Sequence, residues 1–178
     1  MTREADREAD RVSWQVAEPA VLAREQSAMT AIAPGMVWRD DNPAGGWQGV
    51  APEWPFDRPR PSGLDDFLAG ACLTVRVQYL QAHPMVAPLV YPLDPPVDYG
   101  VRTLHDWHIN GDGSLCLLQR ASDWTGRSTA VDLIVKAAGW FLEYLLLERK
   151  VRSSMTECGI VHDDALDGLF VRTTMAAS

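Results

Sequence analysis

One cysteine of this chain stands where its thiol can do chemistry. Cys116 closes the run His108-Ile109-Asn110-Gly111-Asp112-Gly113-Ser114-Leu115-Cys116, and Leu117 follows it. Glycine and Asx residues in such a run make tight turns, glycine through its backbone freedom and Asn or Asp through their own side chains. A short loop of this kind presents a side chain to solvent. A presented thiol suits acyl transfer, because thiolate is both a good nucleophile and a good leaving group. The competing reading is a buried structural cysteine, packed as a small hydrophobe.

The neighbours of Cys116 supply the rest of that chemistry. His108 can donate an imidazole N–H to the oxyanion of a tetrahedral intermediate, a contact worth about 3 kcal/mol. It can equally accept the proton of an attacking amine. Its plain alternative is a loop histidine bonded to backbone. Asn110 and Asp112 read as turn formers, with Asn110 supporting the loop. The spacing His108-x-Asn110-x-Asp112-Gly113 is that of a calcium loop, but histidine is a poor first ligand and Gln119 stands where a bidentate Glu is required. Cys158-x-x-x-His162 with His105 and His108 is too scattered a set to argue zinc. No metal and no cofactor is therefore expected. His162-Asp163-Asp164 offers an acid or base from the C-terminal part.

The elements that position the loop follow from periodicity. Residues 1–12 carry Arg-Glu-Ala-Asp twice and read as a polar tail. Pro19 to Ala31 reads as a weakly amphipathic helix, ended by Pro34-Gly35. Residues 35–63 set Trp38, Trp47 and Trp54 among turn signals, so short strands joined by turns are expected. Leu73, Val75, Val77 and Tyr79 alternate with Thr74, Arg76 and Gln78, the pattern of a strand with one buried face. The next strand is expected over Val86 to Tyr91, stopped by Pro92, Pro95 and Pro96. Residues 97–118 show little regular pattern, and a long loop inside a compact domain is usually functional.

Trp124 is expected to pack beneath the cysteine loop. Thr129 then caps a helix from Ala130 to Lys150, with Asp132 at its third position as a capping-box variant. This helix is apolar on most sides and belongs in the core, Trp140, Phe141 and Tyr144 included. Lys150 and the nearby arginines suit its C-terminal end. Strands in succession followed by a helix make the fold class α+β: an antiparallel meander sheet, an N-terminal helix, and a core helix after the cysteine loop. The domain is expected over residues 13–150, with 151–178 a C-terminal tail holding a short turn near Asp163 to Phe170.

Bulk properties narrow the partners. At 178 residues and 47% hydrophobic, the chain fits one domain with a modest core. The formal charge is −8 and no basic cluster is long enough to track a phosphate backbone, so nucleic acid is not an expected partner. The longest apolar stretch, Thr129 to Leu147, carries Asp132, Lys136 and Glu143, which argues against a membrane span. Cys72, Cys116 and Cys158 are odd in number, and the polar N-terminus has no signal-peptide core. Free thiols in a reducing cytoplasm are expected.

Three elements in order carry a resemblance to a known family. They are Tyr91-Pro92-Leu93-Asp94-Pro95-Pro96, then Gly113-Ser114-Leu115-Cys116-Leu117, then Trp124 followed by Ser128 and Thr129. Tyr91 and Cys116 lie 25 residues apart, and Cys116 and Trp124 lie 8 apart. Order and spacing resemble those of the ubiquitin-conjugating enzymes, in a divergent bacterial form. The resemblance covers about Cys72 to Leu147; the first 70 residues match only in the order of elements.

The resemblance implies that Cys116 accepts the C-terminal acyl group of a ubiquitin-like protein from an activating enzyme, as a thioester. It then yields that group to an amine, a lysine of a target protein. The family's His-Pro-Asn triplet falls on Asp106-Trp107-His108, so His108 takes the asparagine's place; Asn110 takes it only if the loop is two residues shorter. The family's acidic residue beyond the cysteine has no clear counterpart, and its C-terminal helices do not fit the remaining length. Bacterial members accompany an activating enzyme, a ubiquitin-like protein and a deconjugating protease in antiphage defence operons, which is the setting implied here. The rival expectations are a non-catalytic binder of a ubiquitin-like protein, which has no use for the cysteine, and a cysteine hydrolase pairing Cys116 with a histidine.

Overall fold

A computed structural model describes residues 12–170. The Arg-Glu-Ala-Asp repeat lies outside the described residues. The elements run α1 (Trp14–Ala17), α2 (Pro19–Ile32), β1 (Met36–Arg39), β2 (Gly46–Val50), α3 (Leu64–Leu68), β3 (Thr74–Gln78), β4 (Leu89–Asp94) and α4 (Ala130–Glu148). Short 3₁₀ turns lie at Tyr99–Val101, His105–Trp107 and Ala121–Asp123. The four strands form one antiparallel meander in the order β1-β2-β3-β4. The α+β class read from the sequence is the one observed.

Helix α2 starts with Pro19 in its first turn, where a fixed φ is preorganised and the missing N–H is no loss. The helix ends one residue beyond the expected Ala31. Only Glu25 and Met29, one turn apart, are buried. In the sheet, Trp38 stands opposite Trp47. Their rings meet edge-on at 5.1 Å. Gly46 permits β2 to approach β3, since a Cβ there would lie 2.3 Å from the Val77 carbonyl oxygen. The buried face of β3 is the one its alternation predicts: Leu73, Val75, Val77 and Tyr79 are all 2% exposed or less.

Two elements differ from expectation. Strand β4 spans Leu89–Asp94 rather than Val86 to Tyr91. It carries Pro92 opposite Val75, beside a register irregularity at Thr74/Val75. The strand ends the sheet, so a missing N–H on its outer side breaks no ladder, and the proline does not stop it. Helix α3 was not read at all. It is only five residues long, though Leu64, Phe67 and Leu68 already stand at helical spacing and are buried.

Helix α4 is the axis of the core. Its capping box forms as expected, with the Thr129 N–H donating to the Asp132 carboxylate at 2.8 Å. At the other end Lys150 takes a left-handed φ of 57°. The Lys150 N–H bonds the Leu147 carbonyl and the Val151 N–H bonds the Leu146 carbonyl, at 2.8 and 2.9 Å. That pair of bonds closes the helix as a Schellman motif without glycine. Arg149 turns away from its own helix end and donates to the Phe67 carbonyl of α3.

Residues beyond α4 are part of the core as far as 170. Met155, Ile160, Leu166 and Phe170 are buried. Asp167 accepts a two-bond fork from Arg58, at 2.9 and 3.1 Å. No helix among the described residues is long and apolar enough to cross a membrane.

Because α4 is enclosed, its first N–H groups must find partners inside the protein. The N–H of Ala130 donates to the fully buried carboxylate of Glu25 on α2, at 2.8 Å. The other Glu25 oxygen faces His83 Nε2 at 3.5 Å. Removing this carboxylate orphans a buried donor. Glu25→Ala is expected to destabilise the fold by about 2–4 kcal/mol. Glu25→Gln, which keeps an oxygen for Ala130, is expected to lose less. Urea midpoints of the three proteins check the ranking.

Candidate active site

The cysteine loop is a small hairpin-like excursion stitched at its base. Ile109 and Leu115 pair as an antiparallel bridge. Both are buried, which plants the base in the core. The Leu115 N–H donates to the Val90 carbonyl of β4 at 2.8 Å, so the returning arm is tied to the sheet edge. Gly113 adopts φ +87°, a conformation glycine takes without strain. Asp112 accepts from both the N–H and the hydroxyl of Ser114, at 2.9 and 2.7 Å. Those bonds hold its carboxyl below the usual range. Asn110 donates to the Ser114 hydroxyl at 3.0 Å and to the Leu115 carbonyl at 3.4 Å. Its contacts are internal to the loop, those of a loop support.

Cys116 emerges from this base exposed. Its N–H donates to the His108 carbonyl at 2.8 Å. His108 offers that carbonyl from a left-handed backbone conformation, φ 48°, ψ 47°. The backbone of Cys116 is therefore fixed by the histidine that lines the same cleft. The His108 ring is half-buried, and its Nε2 is buried without a hydrogen-bond partner of good geometry. Burial pushes its pKa down, helped by His105, whose ring lies 5.5 Å away. The Thr156 backbone and Asp106 pull the other way. At neutral pH the net direction favours a neutral imidazole, able to accept a proton.

Cys116 and His108 share one cleft of about 570 Å³. Its walls are the cysteine loop, α4 and the segment 155–162. Hydrogen bonds hold those walls together. The Met155 N–H donates to the Asp106 carbonyl at 3.1 Å. The Trp140 indole donates to the Trp107 carbonyl at 2.9 Å. The Gln119 amide donates to the Glu157 carbonyl at 2.9 Å and to Cys158 Sγ at 3.3 Å.

The structure brings His105, His162 and Cys158 to this cleft with Cys116 and His108. No three His, Cys, Asp or Glu side chains among the described residues stand close enough to hold a metal ion. Trp124 is placed elsewhere. Its indole donates to the Pro84 carbonyl at 2.9 Å, and its ring faces His83 at 6.0 Å. Its hydrogen bond and its ring contact are thus with the 83–84 turn.

No family model, curated protein or solved structure matches the chain. Function must be argued from the site itself.

Sequence reasoning missed one group, Glu143. It is 1% exposed and lines the cleft from α4. Its carboxylate accepts from the Thr156 N–H at 2.5 Å and from the Thr156 hydroxyl at 2.9 Å. Burial raises its pKa, against the Thr156 bonds and the more distant Arg152. The available signal was spacing: Lys136, Trp140 and Glu143 follow i, i+4, i+7, one face of the helix.

A raised carboxyl pKa means that the folded protein binds more protons than the unfolded chain above the ordinary carboxyl range. This contribution to stability is full at low pH and is lost as pH rises through the folded value. Glu143→Gln lacks it. The stability of Glu143→Gln relative to the parent is therefore expected to improve as pH rises from about 4 to about 7. Denaturation midpoints across that range check the sign.

Proposed function

We propose that the protein carries a ubiquitin-like protein as a thioester on Cys116 and transfers it to a lysine amine of a target. One observation carries this reading: an exposed thiol, its backbone pinned to His108, lining a cleft between the cysteine loop, α4 and the segment 155–162. The meander sheet, the cysteine loop after its last strand and the core helix behind it are the order that a ubiquitin-conjugating fold would have. We propose with it an activating enzyme as partner, a cytoplasmic setting and a role in bacterial antiphage defence.

The chemistry runs in two exchanges. The Cys116 thiolate attacks the activated carbonyl; a new C–S bond forms and the bond to the activating enzyme breaks. An amine then attacks the Cys116 thioester; the C–N bond forms, the C–S bond breaks, and the thiolate leaves. In this reading His108, whose burial favours the neutral imidazole, stabilises the oxyanion or takes the amine's proton.

Incubation with activating enzyme, ATP and ubiquitin-like protein tests the reading. The parent is expected to form an adduct that reductant cleaves, and Cys116→Ala to form none. Turnover of a small ester or peptide without any adduct would replace the carrier reading with a cysteine hydrolase, which the histidines of the cleft otherwise favour. His108→Ala is expected to charge normally but to discharge to amine about 100-fold more slowly, the scale of one lost oxyanion donor. In the parent, discharge is expected to fall as pH drops below the usual histidine range, since the lowered His108 pKa postpones protonation to more acidic solution. Single-turnover discharge rates across pH give both answers.

A further inference from the structure

The chain's three cysteines are all exposed free thiols. Exposure is unusual for a residue that ranks among the most buried of all types. Cys116 and Cys158 both line the cleft, whereas Cys72 does not. Distance along the chain favours neither partner for Cys116: Cys158 lies 42 residues after it, and Cys72 lies 44 before it. The fold alone selects Cys158 as the second thiol of the cleft.

Cys158 is carried there by an arch pinned at both feet. At one foot Met155 is buried, and its N–H bonds the Asp106 carbonyl at 3.1 Å. At the other, Ile160 is 1% exposed and packs on α4 at Gly139, where a Cβ would meet its Cγ1 at 3.3 Å. Between the feet there is no helix or strand. Gly159 takes φ +68° there, and a Cβ on it would meet nothing within 4 Å. At the crown the Gln119 amide donates to Cys158 Sγ at 3.3 Å. Gln119 follows Cys116 by three residues, so its Cα lies within about 10 Å of the Cys116 Cα. Asp106 and Gln119 flank Cys116 on opposite sides along the chain, and both hold the arch.

We propose that Cys116 and Cys158 are a dithiol pair that a hydroperoxide oxidises to a disulfide, a reversible modification that takes the nucleophile out of action. One thiolate attacks the peroxide: an S–O bond forms, the O–O bond breaks, and water or an alcohol leaves, giving a sulfenic acid. The other thiolate attacks that sulfur: the S–S bond forms, the S–O bond breaks, and hydroxide leaves and takes up a proton. The two thiols give up two electrons and two protons, and the peroxide is reduced. The product is the same whichever thiol is struck first. A dithiol reductant returns both thiols. Closure brings the two Cα atoms to about 4.4–6.8 Å. The arch is the part that adjusts, because the Cys116 backbone is committed to His108. The pair controls whatever chemistry Cys116 performs and does not depend on acyl transfer.

The test is oxidation of the reduced full chain by hydrogen peroxide. Remaining thiols are then blocked with iodoacetamide, and disulfide-linked peptides are read by mass spectrometry. At about 10 µM protein, the Cys116–Cys158 bridge is expected to exceed bridges between two chains about 100-fold, the ratio of a millimolar effective concentration to the protein's own. The Cys72–Cys116 peptide is expected to be minor. In denaturing urea the two loops, matched in length, close at nearly equal cost. There the Cys72–Cys116 and Cys116–Cys158 peptides are expected in similar amounts.

Cys158→Ser removes the bridge, so peroxide drives Cys116 past the sulfenic acid to the sulfinic acid, which dithiothreitol does not reverse. Recovery of alkylatable Cys116 after dithiothreitol is expected to be near complete in the parent and several-fold lower in Cys158→Ser. Cys72→Ser is expected to bridge and recover as the parent does. The same peptide ratio in folded and urea-treated protein, full recovery in Cys158→Ser, or loss of the bridge in Cys72→Ser would overturn the pair. The assay uses neither an activating enzyme nor a ubiquitin-like protein. A chain that bridges but never charges defeats the carrier reading alone; a chain that charges but does not bridge defeats the dithiol pair alone.

Discussion

The burial of α4 is the constraint from which the rest follows. A helix enclosed on nearly every side leaves its polar groups no water to turn to, so each must be met from within the protein. Glu25 meets the first N–H from α2. Trp107 meets the indole of Trp140 with its carbonyl. Thr156 meets the carboxylate of Glu143. Each bond ties a different part of the chain to the helix: the N-terminal helix, the turn that precedes the cysteine loop, and the segment that follows α4. The same bonds that satisfy the helix also assemble the site.

That arrangement explains how an exposed thiol comes to be held in place. A loop on the surface is free to move unless its backbone groups are committed. Here both arms are committed, one through the Val90 carbonyl of β4 and one through the His108 carbonyl. His108 is in turn flanked by the His105–Trp107 turn, whose carbonyls bond α4 and the 155–162 segment. The loop thus borrows rigidity from the sheet on one side and from the core helix on the other, and only its side chains face the cleft.

The parts of the fold legible in the sequence were those with local signals. Alternation in 73–79 and the Thr129/Asp132 capping box each rest on a few adjacent residues, and both elements appear where they were placed. Strand β4 was misplaced because proline was weighed as a strand breaker, while its position on the sheet edge made the missing N–H harmless. Helix α3 was too short for periodicity to register. At the site, Cys116, His108 and Asn110 announced themselves by loop chemistry. Glu143 did not, because a helix apolar on most sides hides a single carboxylate, and its partner Thr156 lies in a stretch read as tail. Trp124 was tied to the loop by its distance in sequence, whereas its hydrogen bond runs 40 residues back to Pro84.

The segment after α4 does not need Glu143 to stay in place. Met155, Ile160 and Phe170 are buried, Met155 bonds Asp106, and Asp167 is forked by Arg58 with both side chains largely shielded. Those anchors are apolar burial and a well-formed ion pair, neither of which carries a desolvation debt as large as that of a carboxylate without a counter-ion. A hydrophobic residue at 143 would pack the helix against the segment without burying a charge. A strictly structural account therefore leaves the acid unexplained. Groups kept at a cost to stability concentrate where a protein does its work, and this one lines the cleft that is also lined by the exposed Cys116 and by His108.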